Sequence, residues 1–147
     1  MTINESGHHR INERLNDYWE QLRGKRDMPL ESDVVIDDLK DIWDHCFLVS
    51  IKDGKFSYSY LGDDLIAAYG ENITGKEITE TLVYPHPTSL LKAFSLVESS
   101  GLPKIDDSEF VNSRGTTVKY RSCVLPLAAP GNGGVAYLLG GMKWKAF

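Results

Sequence analysis

The sequence predicts an α+β fold, and three observations predict it. An amphipathic stripe at helical spacing opens the chain. Strand-like alternation sets in at residue 45. Helical patterns then interrupt that alternation before it resumes toward the end. The expected order is a helix, two strands, several short helices, one longer helix and three strands, divided into an N-terminal helix (1–26), an acidic connector (27–44) and a core (45–147).

Residues 8–23 read as the helix. Ile11, Leu15, Tyr18, Trp19 and Leu22 recur at spacings of three and four, so they share one face, with Arg10, Glu13, Arg14, Asp17 and Glu20 on the wet side. Gly24 is a natural stop, and Arg23, Lys25 and Arg26 complement the negative end of the helix dipole. A lone helix of this length is marginal in water. Burying the stripe contributes roughly 6–12 kcal/mol as an upper bound. The stripe therefore needs a surface, either on its own domain or on a second subunit, and it is the candidate dimer interface.

The connector, DMPLESDVVIDDLKDIWD, carries Glu31, Asp33, Asp37, Asp38, Asp41 and Asp44. These acids lack the acid-and-glycine pattern of a calcium loop. They are expected on the wet side of a short helix whose dry side is Leu39, Ile42 and Trp43, and no metal site is expected.

In the core, CFLVSI is an apolar strand and Asp53-Gly54 a hairpin turn. KFSYSYL follows, with Phe56, Tyr58 and Tyr60 on one face and Ser57 and Ser59 on the other. Gly62 ends that strand. Asp63 or Asp64 is expected to cap a short helix through Leu65, Ile66 and Tyr69, closed by Gly70. ENITGKEITETL reads as a loop and a short helix, with Thr74 or Thr79 as its cap. Thr88 caps a better helix with Leu90, Leu91, Phe94, Leu96 and Val97 on its buried side, stopped by Gly101 and Pro103. Three strands follow, turning at Arg114-Gly115 and again across residues 130–134.

Composition bounds the function. A chain of 147 residues with 41% hydrophobic and 25% charged residues suits one globular domain. A formal charge of −5 argues against a nucleic-acid binder. No apolar run approaches the roughly 18 residues of a membrane span, and no signal peptide is visible, so a cytoplasmic protein is expected. Cys46 and Cys123 can make neither a disulfide framework nor a zinc site.

Several stretches carry a resemblance. YWEQLRGKRDMP, FSYSYLGDDLIAAYGENITGKEI and VLPLAAPGNGG resemble a short stand-alone PAS subfamily found in bacteria. Its Leu-Gly, Tyr-Gly and Thr-Gly pairs correspond to Leu61-Gly62, Tyr69-Gly70 and Thr74-Gly75, and its Leu-Pro-Leu to Leu125-Pro126-Leu127. The similarity covers residues 14–140. It implies a PAS fold, a five-stranded antiparallel sheet split by a helical insert. The cupped face of such a sheet can enclose a small molecule, and its convex face often packs against an N-terminal helix and a second subunit.

The cofactors of the wider family are not expected. Haem-binding members carry a histidine within the long helix, whereas His86 lies between Pro85 and Pro87, a setting that disfavours helix. His45 reads as a loop or core-edge residue, and His8 and His9 are terminal. A flavin photosensor needs a reactive cysteine in an insert helix, whereas Cys46 and Cys123 fall in strands and read as buried structural thiols. No kinase, cyclase or helix-turn-helix segment is expected. Tyr58, Tyr60 and Asp63 resemble the acid–base set of a cone-shaped isomerase or dehydratase, but helix capping accounts for Asp63 and strand preference for the tyrosines.

The expected function is a non-catalytic regulatory module, homodimeric, that binds a small molecule or an unidentified signalling protein, with no nucleic-acid or membrane partner. A docking scaffold without ligand is the alternative. Tyr58, Tyr60, Tyr69, Phe94 and Tyr120 are the candidate ligand-lining residues, because inward rings enclose a ligand and their hydroxyls orient it. Arg121 is expected at the surface or an interface.

Overall fold

The apolar stripe of the first helix finds its surface on the chain's own sheet. The computed structural model describes residues 3–79, 88–131 and 133–147. Helix α1 spans Ile3–Arg23 and ends at Gly24, whose φ of 60° suits glycine. Ile11, Leu15, Tyr18 and Trp19 are buried, and Leu22 is partly so.

The connector departs from the expected single helix. It makes three isolated turns of 3-10 helix, Glu31–Asp33, Ile36–Leu39 and Trp43–His45. Leu30, Val34 and Val35 take extended conformations between them. Side chains reward that interruption: the Leu30 N–H donates to the Asp33 carboxylate (2.9 Å) and the Val35 N–H to the Tyr18 hydroxyl (2.9 Å). Leu39 is fully buried, while Ile42 and Trp43 pack at the margin.

The strands are β1 (Cys46–Lys52), β2 (Lys55–Leu61), β3 (Lys104–Val111), β4 (Thr117–Ala128) and β5 (Val135–Ala146). They form one antiparallel sheet in the order β2-β1-β5-β4-β3. Asp53 and Gly54, with φ of 52° and 74°, make the predicted hairpin.

Helix α2 spans Asp63–Tyr69 and α3 Thr88–Ser100. The cap of α2 differs from expectation. Gly62 is the N-cap, with no side-chain cap bond, and Asp63 and Asp64 fall in the first turn. A Cβ on Gly62 would lie 2.2 Å from the Asp44 carbonyl oxygen, so close backbone approach accounts for this glycine. Residues 71–79 form turns and a bridge to β2, and a helix capped by Thr79 would lie outside the described residues. Thr74 donates to Asn72 through its N–H (3.0 Å) and hydroxyl (2.6 Å) instead of capping. Ile78 N–H donates to Phe56 O along the open edge of β2 (2.7 Å). On α3, Leu90, Ala93, Phe94 and Val97 are buried, while Leu96, expected inside, is 53% exposed. Adjacent helical residues are about 100° apart, which carries Leu96 off the stripe of its neighbour Val97.

The two sheet faces carry separate apolar clusters. The inner cluster joins the sheet to α2 and α3, and the outer joins it to α1 and the connector. Neighbouring glycines of β5 serve one face each: the Phe47 ring occupies the Cβ position of Gly140, and Leu15 crowds that of Gly141.

Candidate functional site

On the inner face, the structure unites four of the five predicted lining residues. Tyr58 from β2, Tyr69 from α2, Phe94 from α3 and Tyr120 from β4 belong to one buried cluster. Four separate elements thus contribute one residue each. The Tyr58 and Tyr69 hydroxyls are 2.5 Å apart and hydrogen bonded. Burial pushes both phenols well above their ordinary range, and for Tyr58 the neighbouring Tyr69 adds to it. Tyr69 stacks on Phe110 at 5.2 Å, and Phe110 in turn contacts Tyr120 at 5.8 Å.

Tyr60 is a correction. Ser59 is an extra residue in β2: Leu48 pairs with Tyr60 but Val49 with Tyr58. This bulge turns Tyr60 to the outer face, where it stacks on Trp43 (4.4 Å between centroids) and donates to Trp43 O (2.9 Å). Burial, with Asp44 nearby, pushes its hydroxyl up to about 12. Tyr60 therefore lines no part of the cup.

The inner face also has a polar end that pattern reading missed. Asp106 pairs with Ser122, and Ser108 with Tyr120, across β3 and β4. Ser122 is fully buried, and burial, with the Asp106 carboxylate nearby, raises the Tyr120 phenol well above its ordinary range. Strand parity alone would have found these residues, since they alternate with Cys123 and Arg121 of the other face.

On the outer face the predicted interface stripe covers β4 and β5 of the same chain. Trp19 Nε1 donates to Pro126 O at 2.7 Å. The Tyr18 hydroxyl donates to Asp38 (3.2 Å), and burial raises its pKa. Beside this stripe, His45 Nδ1 lies 2.9 Å from Asp64 Oδ2, which also accepts Trp144 Nε1 at 2.9 Å; Lys143 Nζ is 3.3 Å from His45 Nε2. Asp64 so fixes the imidazole, whose far nitrogen borders a groove of about 520 Å³ between α1, the last 3-10 turn and β5. Residues 45, 64 and 144 have no shared local pattern, so nothing in the sequence announces this contact.

Cys46 and Cys123 are buried free thiols that flank Gly141 of β5. Burial pushes both up to about 12, which suppresses nucleophilic thiolate. Asp63 is exposed, apart from the buried Tyr58, so the acid–base set considered from sequence does not assemble. His86 lies outside the described residues. Among the described residues no group of histidine, cysteine and acid side chains can hold a metal ion, and no helix is long and apolar enough to cross a membrane.

Comparison with known proteins agrees with this architecture. A light-oxygen-voltage domain studied with a flavin analogue superposes with a TM-score of 0.60 at 10% identity, over 75% of this chain and 83% of its own. The N-terminal domain of a diguanylate cyclase with a PAS/PAC sensor from Marinobacter aquaeolei gives 0.51 at 19% identity, over 67% and 93%. The PAS domain of a protein from Colwellia psychrerythraea gives 0.52 at 14%, over 75% and 96%. These likenesses show the fold alone. No curated protein matches the sequence. The PAS domain family profile matches residues 7–143, from within α1 into β5, and the chain belongs to the PAS domain family.

Proposed function

We propose that this chain is a non-catalytic regulatory module that binds a small molecule in its cup and passes the signal through a homodimer or a partner protein. The observation that supports the ligand half is the convergence of Tyr58, Tyr69, Phe94 and Tyr120 from four elements on one inner face, with three hydroxyls among the rings. Apolar walls with a few placed polar groups are what small-molecule sites use. Both thiols lie in strands on the outer face, so no thiol chemistry enters the reading, and neither haem nor flavin is part of it.

The dimer half rests on α1. Its stripe of Ile11, Leu15, Tyr18, Trp19 and Leu22 covers the chain's own sheet, so a dimer organised by this helix uses its flank or exchanges helices between two chains, keeping the same contacts. Light scattering across a concentration series tests this, and a monomer throughout overturns it.

One observation favours the ligand-free scaffold instead: Phe47, Tyr58 and Phe94 already contact one another at 5.7–6.4 Å, filling that part of the cup. Mass spectrometry of the natively purified protein separates the two readings. A retained small molecule supports the sensor; a bare chain that no metabolite stabilises against heat supports the scaffold.

A further inference from the structure

The polar end of the cup is built differently from the rest of the inner face. Around it the face is apolar, with Val118, Val124, Leu138 and Met142 all buried. Ser122 is fully buried, and its Oγ has no protein hydrogen-bond partner. Asp106 Oδ2 is buried and unpartnered as well. The strand pairing sets these two residues directly opposite one another, yet no hydrogen bond joins them. Buried polar atoms are nearly always paired, and an unpaired carboxylate oxygen is among the costliest exceptions.

Among the described residues no cation pairs with this oxygen. Arg121, the nearest in register, is on the outer face and pairs with Asp107 at 2.9 Å. Lys104 shares the inner face but makes no ion pair with Asp106 among the described residues. Tyr120 is a neutral phenol, kept so by burial and then by the neighbouring Asp106 carboxylate, so it brings no positive charge to Oδ2. A donor is still missing at Oδ2, and Ser122 can offer its own proton or a lone pair beside it.

We infer that Asp106, Ser122 and Tyr120 form a selective end of the cup that takes a small molecule presenting an ammonium or other cationic nitrogen donor. The inference rests on the small-molecule reading of the cup and names the class of ligand. A cationic nitrogen satisfies Asp106 Oδ2 through a charge-assisted bond, and its apolar body lies along Phe110 and Tyr120. A carboxylate or phosphate ligand would meet the Asp106 charge instead.

The test compares 2-phenylethylamine with 3-phenylpropionate, which have similar bodies and opposite charges, by thermal shift on the full chain. Native mass spectrometry of the purified protein and the variants Asp106→Asn and Ser122→Ala accompany it. The expected result is stabilisation by the amine at concentrations at least tenfold lower than the acid needs, with most of that preference lost in D106N and part of it in S122A. A retained cationic compound supports the inference equally. Without ligand, D106N is expected to melt no lower than the parent, because it replaces a carboxylate whose buried oxygen has no partner; a clear drop means the carboxylate has an internal partner and overturns the inference. Equal or better stabilisation by the acid, an unchanged preference in D106N, or a retained compound with no cationic group also overturns it while leaving a small-molecule sensor standing. A bare chain that neither compound stabilises overturns both.

Discussion

Trp19 donates its indole N–H to the carbonyl of Pro126 at 2.7 Å, tying α1 to a strand 107 residues away. Pro126 lies beyond Val124, the last β4 residue paired to β3, where a residue without an N–H leaves no β3 bond unmade. The bond also fixes the helix along its own axis, which apolar packing alone leaves free to slide. Substituting Trp19→Phe keeps an aromatic ring but strands a buried carbonyl, and is expected to cost about 1–3 kcal/mol. Trp19→Ala is expected to cost about 3–5 kcal/mol. Urea unfolding followed by circular dichroism measures both, and a Trp19→Phe variant as stable as the parent would show that the hydrogen bond contributes nothing.

The Tyr58–Tyr69 hydroxyl pair predicts non-additivity. Tyr58→Phe leaves the buried Tyr69 hydroxyl without its partner, at a cost of about 1–3 kcal/mol, and Tyr69→Phe does the converse. The double variant removes both polar groups and is expected to cost less than the sum, with a coupling of about 0.5–3 kcal/mol. A double-mutant cycle that closes to zero contradicts the pairing.

Gly62 predicts steric intolerance. A methyl group there meets the backbone carbonyl of Asp44 at 2.2 Å, an atom that has no rotamer to move. Gly62→Ala is expected to destabilise by about 1–3 kcal/mol, whereas Gly133→Ala, with open space around it, should leave the melting temperature nearly unchanged.

The two thiols predict alkaline sensitivity. Burial raises both from the ordinary 9.0 to about 12. The folded state therefore holds its protons more tightly than the unfolded one, so this contribution is fully present below pH 9 and is lost as pH rises through about 12. Replacing both cysteines by alanine should flatten the alkaline limb of the stability profile. At pH 8, thiol labelling of the parent should run no faster than unfolding; rapid labelling of the native state contradicts the burial.

Asp33 predicts the opposite sign. The Leu30 N–H, then the Arg26 guanidinium, hold its carboxyl below the usual range. Its contribution is present above the unfolded value and disappears as pH falls through the lower folded value. Asp33→Asn is expected to lower stability near neutrality and to shrink the acid-side slope. A parallel displacement of the whole profile would assign the loss to something other than this ionisation.

Much of the fold was legible because it is local. The i, i+3, i+4 recurrence from Ile11 to Leu22 marks a buried helix face wherever that helix docks, and Asp53-Gly54 specifies its turn by backbone preference alone. The closure of α2 was legible at Gly70, with φ of 84°. What completes it was not: Asn112 Nδ2 donates to Ala68 O (3.0 Å) and Ser113 Oγ to Tyr69 O (3.0 Å), from a turn 44 residues on. The β2 alternation was legible as a strand but not in its final step, since a bulge is set by cross-strand pairing with Leu48 and Val49, and one extra residue reverses every later side chain.

By itself, then, the sequence determined the element order, the turns and the buried face of α1, because periodicity and backbone preference act over a few residues. Only the tertiary structure decided which candidates share a site. It joined Tyr58 to Tyr69, sent Tyr60 to Trp43, set His45 against Asp64, and placed Asp106 opposite Ser122. Each of these contacts depends on strand register and helix docking, which are settled by burying the whole apolar surface at once.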